Sequence, residues 1–233
     1  MYKKGAQQTT ARRRFIGMLA AGATALGVDT ILFPMQLKAK TYSLEGELNE
    51  ADEWFAKIQG KHRIVFDVTQ PHEVMPFAWP KIFLLTNDKT GTSEKDCGVV
   101  VVLRHNAIPY AFNSQLWSDY KFGEMFKADD PISKTPAMRN PFWKPRSGDF
   151  KIPGIGEVQI GINELQASGV LFCVCNVSMT AHMAIVAEKM KKDIEQVKKE
   201  WLSSLLPGVQ LVPSGVWALG RAQEHGCAYC FAG

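Results

Sequence analysis

Four consecutive valines, in the segment GVVVVLR at residues 98–104, constrain the fold more than any other feature of the chain. A continuous apolar run without polar alternation is typical of a parallel strand that is covered on both faces. The next parallel strand can follow only after a crossover of a dozen or more residues, usually a helix. Four other short apolar or β-branched runs predict the remaining strands: HRIVFDV at 62–68, GVLFCVC at 169–175, VQLV at 209–212 and CAYCF at 227–231.

Segments with helical spacing separate these runs. Alternating strands and helices predict an α/β fold of three layers, with a mostly parallel sheet flanked by helices. One helix is expected to be long, because apolar residues recur at steps of three and four from Met179 to Leu205. The other predicted helices span residues 50–59, 73–87, 115–127, 158–168 and 216–224.

Residues 129–156 interrupt this pattern. The segment holds five prolines, with Phe142 and Trp143 between them. A loop of this length usually serves as a functional lid, forms an interface arm or is mobile. The aromatic residues argue against full disorder. We therefore expect an insertion that either forms an ordered cover or subunit contact, or is mobile.

Basic charge is concentrated at the start of the chain. Residues 1–40 contain seven of the 27 basic residues and one of the 23 acidic residues, which leaves 20 basic and 22 acidic residues in the remainder. A nucleic-acid-binding domain would carry an excess of Lys and Arg. The sequence therefore predicts no nucleic-acid partner for the folded domain, which we expect to span residues 41–233.

The basic segment resembles a twin-arginine export leader. Arg12 and Arg13 form the arginine pair, Phe15 and Ile16 follow, and a weakly apolar run ends before Asp29. This run is too short for a transmembrane helix, which needs about 20 residues. We expect residues 1–40 to direct export through the twin-arginine translocase to the periplasm or an equivalent compartment, with or without cleavage of the leader.

Five cysteines need an explanation in an oxidising compartment. Cys227 and Cys230 form a Cys-x-x-Cys motif, but the predicted strand would place positions i and i+3 on opposite faces of the sheet. Cys173 and Cys175 would share a face, with parallel side chains that disfavour a direct disulfide. These four thiols lack the usual spacing of a zinc or iron–sulfur site, so no metal is expected, although they could form one. Cys97 is expected to be a surface thiol.

The carboxyl ends of the predicted strands indicate where a site would lie. Ligands of parallel α/β sheets bind beyond these ends, near the switch in strand order. His105 and Asn106 follow the valine strand, whereas Cys175 and Asn176 follow GVLFCV. We expect the two pairs to lie close together, with Cys175 facing the N-terminus of the helix that follows.

The last 70 residues resemble the DsrE superfamily, which includes the YchN-like proteins. The family pattern has a helix ending in Gly-Val, a strand ending in Cys, a Pro-Gly-Val segment, a Val-Pro-x-Gly-Val segment and a helix with Gln before the last strand. GVVVVLRH, with His105, is similar to the family's second strand. The matching residues here are Gly169-Val170, Cys175, Pro207-Gly208-Val209, Val212-Pro213-Ser214-Gly215-Val216 and Gln223.

This resemblance implies a flavodoxin-related fold and a homo-oligomer, a trimer or a hexamer. In sulfur-relay members the cysteine at the position of Cys175 carries sulfur as a persulfide. The resemblance therefore implies that Cys175 is catalytic, with His105 nearby, and that another protein could donate or accept sulfur. Independently of the resemblance, Cys173, Cys227 and Cys230 are candidate resolving or supporting thiols, with a structural place in the core as the alternative for Cys173. The alternative is a non-catalytic small-ligand-binding or assembly protein with structural cysteines.

Overall fold

Residues 50–233 are described by the structure, a computed structural model. Five strands form one fully parallel sheet in the order β6-β5-β2-β1-β7, and the short strands β3 and β4 form a separate antiparallel hairpin. The predicted three-layer α/β class is confirmed. The strands are β1 (His62–Val68), β2 (Cys97–Leu103), β3 (Lys151–Ile152), β4 (Gly156–Glu157), β5 (Leu171–Cys175), β6 (Val209–Val212) and β7 (Ala228–Phe231).

Helices connect the strands and cover both faces of the sheet. Residues 50–54 are helical and continue into a 3-10 turn at Phe55–Lys57. Two more 3-10 segments, Glu94–Asp96 and His105–Ala111, precede and follow β2. The α-helices are α1 (Met75–Lys89), α2 (Ser114–Tyr120), α3 (Phe122–Phe126), α4 (Ile162–Ala167), α5 (Asn176–Met190), α6 (Ile194–Ser203) and α7 (Gly215–Glu224). None of the helices in this part of the chain combines the length and apolarity that crossing a membrane requires.

Two separate hydrophobic clusters lie on opposite faces of the sheet. Side chains from α1 to α6 pack in the larger cluster with Phe66, Val101 and Phe172. Side chains from α7 and from residues 54–58 pack in the smaller cluster with Val100. We call these the α1 face and the α7 face. Strand residues alternate between the two faces of the sheet. The face of any strand residue can therefore be deduced from a neighbour that belongs to one of these clusters.

The direction of the crossovers reverses once. The connections after β1, β2 and β5 pass over the α1 face, whereas the connection after β6 passes over the α7 face through α7 and returns to β7, beside β1. The loops that leave the neighbouring strands β5 and β6 therefore diverge to opposite sides of the sheet. In parallel sheets such a switch point opens a crevice at the carboxyl ends of the two strands.

The proline-rich insertion is packed into the core on the α1 face. The ring of Phe142 has no exposed surface, and its centroid lies 4.2 Å from that of Phe77 in α1. The buried Asn140 side chain donates to the carbonyls of Tyr110 and Phe112, and it accepts a hydrogen bond from the backbone of Phe142. The segment is thus held to the sheet by both apolar contacts and buried hydrogen bonds.

Three helix predictions need correction. The long helix expected from Met179 to Leu205 is two helices, because Lys191 adopts a left-handed conformation with φ of 53° and ends α5. Lys121, with φ of 49°, divides the helix expected at 115–127 in the same way. The helix expected at 158–168 begins only at Ile162, after an extended segment whose Val158 and Ile160 are buried.

Candidate functional site

The carboxyl ends of β5 and β6 lie at the switch point, where parallel sheets bind their ligands. Cys175, the last residue of β5, is paired in register with Val212, the last residue of β6. The chain continues from Cys175 into α5 on one face of the sheet and from Ser214 into α7 on the other. We call the region bounded by Cys175, Val212 and Ser214 the switch crevice. Two helix N-termini, each with the positive end of its dipole, point towards it.

Cys175 is the N-cap residue of α5. Its Sγ accepts a hydrogen bond from the backbone N–H of Ser178 at 3.3 Å and another from the Ser178 hydroxyl at 3.2 Å. Only 4% of the residue is exposed. A thiolate accepts such hydrogen bonds more strongly than a thiol, because the acceptor is charged. The local geometry can therefore hold an anionic sulfur at the start of the helix.

His105 reaches Cys175 through Ser178, and it does so with its backbone. The His105 N–H donates to the Ser178 hydroxyl oxygen at 3.0 Å, and His105 itself has a left-handed φ of 51°. Its imidazole is exposed and has no hydrogen-bond partner among residues 50–233. Asn106 turns away from the cysteine and donates to the side chain of Gln70 at 3.0 Å. The structure thus brings Cys175 and His105 together through one bridging serine.

A second histidine lies close to His105. His182 follows Ser178 by one turn of α5, and its ring centroid lies 4.7 Å from that of Phe126. Burial, followed by the nearby His105, lowers the pKa of His182. The His182 side chain is therefore mainly neutral near pH 7, and the sequence analysis did not assign it to the site.

The α7 face carries a buried ion pair beside Cys175. The Asp67 carboxylate is 1% exposed, and it accepts hydrogen bonds from Arg104 Nε at 2.6 Å and from Arg104 Nη2 at 2.8 Å. The hydroxyl of Tyr229 donates to the same carboxylate at 2.8 Å. The hydrogen bonding between Arg104 and Asp67 is the main cause that raises the pKa of Arg104. Three strands, β1, β2 and β7, are thereby joined at their carboxyl ends by a polar cluster.

Strand alternation places Arg104 next to Cys175. Leu103 is paired with Val174, so Arg104 and Cys175 are the next residues along their neighbouring strands and share the α7 face. The Arg104 stem also packs against the first residue of α7: a Cβ on Gly215 would lie 2.7 Å from Arg104 Cβ and Cδ. Glycine at 215 is needed for this close approach, which brings α7 down onto Arg104.

Sequence reasoning missed the Asp67–Arg104–Tyr229 cluster. Two signals were present in the sequence: HRIVFDV has a carboxylate near the end of an apolar strand, and the next parallel strand ends in an arginine. Burial of an unpaired charge is very costly, so a charged residue in a buried strand implies a partner at the same edge of the sheet. Tyr229 could not have been assigned to this cluster from the sequence, because nothing in the sequence shows that β7 lies beside β1.

The other cysteines lie in three different places. Cys173 is fully buried on the α7 face, and burial raises its pKa. Cys227 packs in the same cluster, where burial raises its pKa to about 11. Cys230 packs on the α1 face, so the sheet separates it from Cys227. Cys97, expected at the surface, is buried and lines a cleft of about 500 Å³ at the amino end of the sheet.

No disulfide and no metal cluster links these residues. All five cysteines are free. Within residues 50–233 no group of three or more His, Cys, Asp or Glu side chains is arranged to hold a metal ion. The four thiols considered for a metal site do not converge, because Cys230 lies on the opposite face of the sheet from Cys173 and Cys227.

Comparison with known proteins finds similarity only among solved structures. No protein-family model matches the sequence, and no curated protein matches it. A solved structure of a protein of unknown function from Methanobacterium thermoautotrophicum aligns with 73% of this chain and 99% of its own, at 18% sequence identity and a TM-score of 0.38.

Proposed function

We propose that the protein is a DsrE-like sulfur carrier in which Cys175 accepts sulfane sulfur as a persulfide and passes it on. The observation that carries this proposal is the position of the Cys175 sulfur, at the switch crevice, with two hydrogen-bond donors from Ser178. The resemblance of residues 169–223 to the DsrE pattern supplies the type of reaction. The chemistry needs only a nucleophilic sulfur and a donor that contains a sulfur–sulfur bond.

Ser178 and His105 have supporting roles in this proposal. Ser178 donates to the sulfur and stabilises its charge, and the His105 backbone holds the Ser178 hydroxyl in place. The exposed His105 imidazole stands at the same edge of the sheet. The loading step uses Cys175 alone, and Cys173, Cys227 and Cys230 are free thiols that form no bond with it.

Intact-protein mass spectrometry tests the proposal. Incubation of the reduced protein with thiosulfate should add one unit of 32 Da, the mass of one sulfur atom, and peptide mapping should place it on Cys175. Cys175→Ser should abolish the addition, and Cys230→Ser, which removes a thiol on the other face, should leave it intact. A protein that gains no sulfur at Cys175 from thiosulfate or from a persulfide donor is not a sulfur carrier of this kind.

The second candidate is a non-catalytic protein that binds a small ligand in the switch crevice. Val177 is 63% exposed and Val216 is 70% exposed, each in the first turn of a helix that begins at the crevice. Apolar side chains beside a few polar groups are typical of ligand sites. This candidate requires that Cys175→Ser leave ligand binding unchanged and that sulfur donors label no cysteine.

Export and self-association complete the proposal. Arg12, Arg13 and the apolar run after them lie outside the described residues, and their pattern supports export by the twin-arginine route. Family resemblance supports a trimer or hexamer, and Ile185 and Met190 offer exposed apolar surface on α5. Fractionation of the native host and light scattering of the purified protein test these two points.

A further inference from the structure

The polar cluster beside Cys175 has a feature that a purely structural ion pair does not need. Asp67 is buried, but its partner Arg104 is still 28% exposed, so one side of the guanidinium meets solvent. Asp67 engages Nε and Nη2, and no acceptor in residues 50–233 engages Nη1. A guanidinium has five N–H donors, and this arrangement leaves several of them available to a ligand.

The cluster also fixes the orientation of the guanidinium. Two hydrogen bonds from Arg104 to one carboxylate form a bidentate pair, the most strongly directional arrangement available to arginine. The Tyr229 hydroxyl holds the same carboxylate from the neighbouring strand. Burial of the hydroxyl and then the Asp67 carboxylate raise the pKa of Tyr229, so it remains a protonated donor. The cation is therefore positioned before any ligand arrives.

Charge is the main obstacle to chemistry at Cys175. An anionic thiolate repels an anionic donor, and the repulsion is strongest where water is excluded. Arg104 follows β2 at the position beside Cys175, one strand away and on the same face of the sheet. The N-termini of α5 and α7 add partial positive charge at the same place.

Access to Cys175 favours a small donor. The residue is 4% exposed, so a cysteine on the surface of another protein would have to displace the first turn of α5 or α7 to reach it. A small inorganic anion needs no such rearrangement.

From these observations we infer that Arg104 is the residue that selects the sulfur donor, and that the selected donor is a small anion with a terminal sulfane sulfur, the class to which thiosulfate belongs. Asp67 and Tyr229 act as positioning residues that hold the guanidinium. This inference rests on the proposed function of Cys175, since it names the substrate class of the same site.

The transfer balances without a further reactant. The Cys175 thiolate attacks the outer sulfur of thiosulfate, a new sulfur–sulfur bond forms, and the sulfur–sulfur bond of the donor breaks. Sulfite leaves with the bonding electron pair, while Arg104 offsets the charge of the sulfonate oxygens. The product is the Cys175 persulfide, and the total charge is −3 on both sides. The thiol proton has already passed to solvent.

Two reagents that differ only in charge provide the control for reactivity. Iodoacetamide is neutral and iodoacetate is an anion, and both alkylate a thiolate by the same reaction. Rates at Cys175 are measured for these two reagents and for thiosulfate labelling, in the wild type and in Arg104→Gln. We expect Arg104→Gln to slow thiosulfate labelling by at least about tenfold, as expected for the loss of one hydrogen-bonded charge. Iodoacetate should slow as well, and iodoacetamide should change by less than about threefold.

Loss of Arg104 alone would leave the Asp67 charge buried without a partner and could unfold the protein. The double variant Arg104→Gln with Asp67→Asn removes both charges, keeps the local net charge and retains similar shapes. It should show the same selective loss of thiosulfate labelling. Arg221→Gln with Asp52→Asn is the matched control, since it removes the ion pair of 2.9 Å at the C-terminal half of α7 and should change none of the three rates.

The outcomes separate the inference from the function on which it rests. If thiosulfate labels Cys175 equally fast in the wild type and in the folded double variant, Arg104 does not select the donor, and the sulfur-carrier proposal still stands. If iodoacetamide alkylates Cys175 but no sulfur donor labels it in the wild type, the carrier function fails. If all three rates fall together, the cluster only maintains the structure, and the inference is wrong.

Discussion

Ser178 controls the environment of the candidate nucleophile with a single side chain. Its hydroxyl donates to Cys175 Sγ and accepts from the backbone of His105, so it joins α5 to the end of β2. Its backbone N–H donates to the same sulfur. Any amino acid at 178 retains the backbone hydrogen bond, whereas only a residue with a hydroxyl retains the second one. The two contributions can therefore be measured separately.

Substitution of Ser178 by alanine should slow alkylation of Cys175. Loss of one hydrogen bond to the charged sulfur removes on the order of 1 kcal/mol of stabilisation, which corresponds to about a fivefold lower rate with iodoacetamide near pH 7. Ser214→Ala is the matched control, because Ser214 caps α7 at the same crevice by accepting from Trp217, whereas both hydrogen bonds to Cys175 Sγ come from Ser178. Equal effects of the two substitutions would show that the Ser178 hydroxyl acts on helix stability alone.

At the scale of elements, the break between α5 and α6 depends on one residue with an unfavourable backbone conformation. Lys191 has a φ of 53°, and its N–H bonds back to the carbonyls of Ala187 and Glu188. Asp193 then starts α6 by accepting from the backbone of Gln196 at 3.0 Å. A left-handed conformation costs an L-residue about 1–2 kcal/mol, and glycine avoids this cost.

Glycine at 191 should therefore stabilise the protein. We expect Lys191→Gly to raise the free energy of unfolding by about 0.5–1 kcal/mol, after the larger entropy of glycine in the unfolded chain is included. Lys198→Gly, on the exposed side of α6, should lower it by about 1 kcal/mol. Urea unfolding followed by circular dichroism measures both. If Lys191→Gly is as destabilising as Lys198→Gly, then α5 and α6 are continuous in solution.

Periodicity and composition predicted the strands well and the helix boundaries less well. All five strands of the sheet were predicted, because each is a compact run of apolar residues between turns. The break at Lys191 was missed because the apolar spacing continues across it without glycine or proline, and Asp193 was the only local signal. At the site, Cys175 and His105 were named through strand ends and family pattern. Arg104 and Asp67 became visible only when the strands were placed side by side.

The insertion is attached to the core by Asn140. Its amide group satisfies the carbonyls of Tyr110 and Phe112, and its oxygen satisfies the backbone N–H of Phe142, all without exposure to water. A buried polar backbone group that loses its partner costs about 1–3 kcal/mol. The insertion therefore contributes to the stability of the whole α1 face, since Phe142 packs directly on Phe77 of α1.

Asn140→Ala should lower the free energy of unfolding by about 3 kcal/mol, because it leaves three buried backbone groups without partners. Asn163→Ala is the control: its side chain accepts only from the backbone of Lys144 at the surface, and its loss should cost less than about 1 kcal/mol. Chemical denaturation measures both values. Equal values for the two variants would mean that water reaches the carbonyls of residues 110 and 112, and that the insertion opens in solution.

The whole sheet acts as a partition between thiols. Cys173 and Cys227 pack on the α7 face, and strand alternation places Cys175 on the same face, whereas Cys230 packs on the α1 face. A dithiol needs Cβ atoms about 3.5–4.5 Å apart and directed at each other to form a disulfide. Cys227 and Cys230 do not meet this requirement while the strand is intact. In the folded strand, Cys227 and Cys230 therefore cannot form a disulfide with each other.

Alkylation across a range of pH should show this partition in the native protein. Burial raises the pKa of Cys227 to about 11 because it disfavours the charged thiolate. Below that value the thiolate fraction, and with it the rate, falls about tenfold for each unit of pH. Cys227 should therefore be almost unlabelled by iodoacetamide near pH 7 and should react faster as the pH approaches 11. Cys173 should react only after unfolding.

Two further measurements serve as controls. In urea, all five cysteines should react at similar rates. In the folded protein, the oxidant diamide should produce no Cys227–Cys230 disulfide. Rapid labelling of Cys227 at pH 7, or that disulfide, would show that β7 detaches from β1 under native conditions, since only a detached strand can turn both sulfurs to one side.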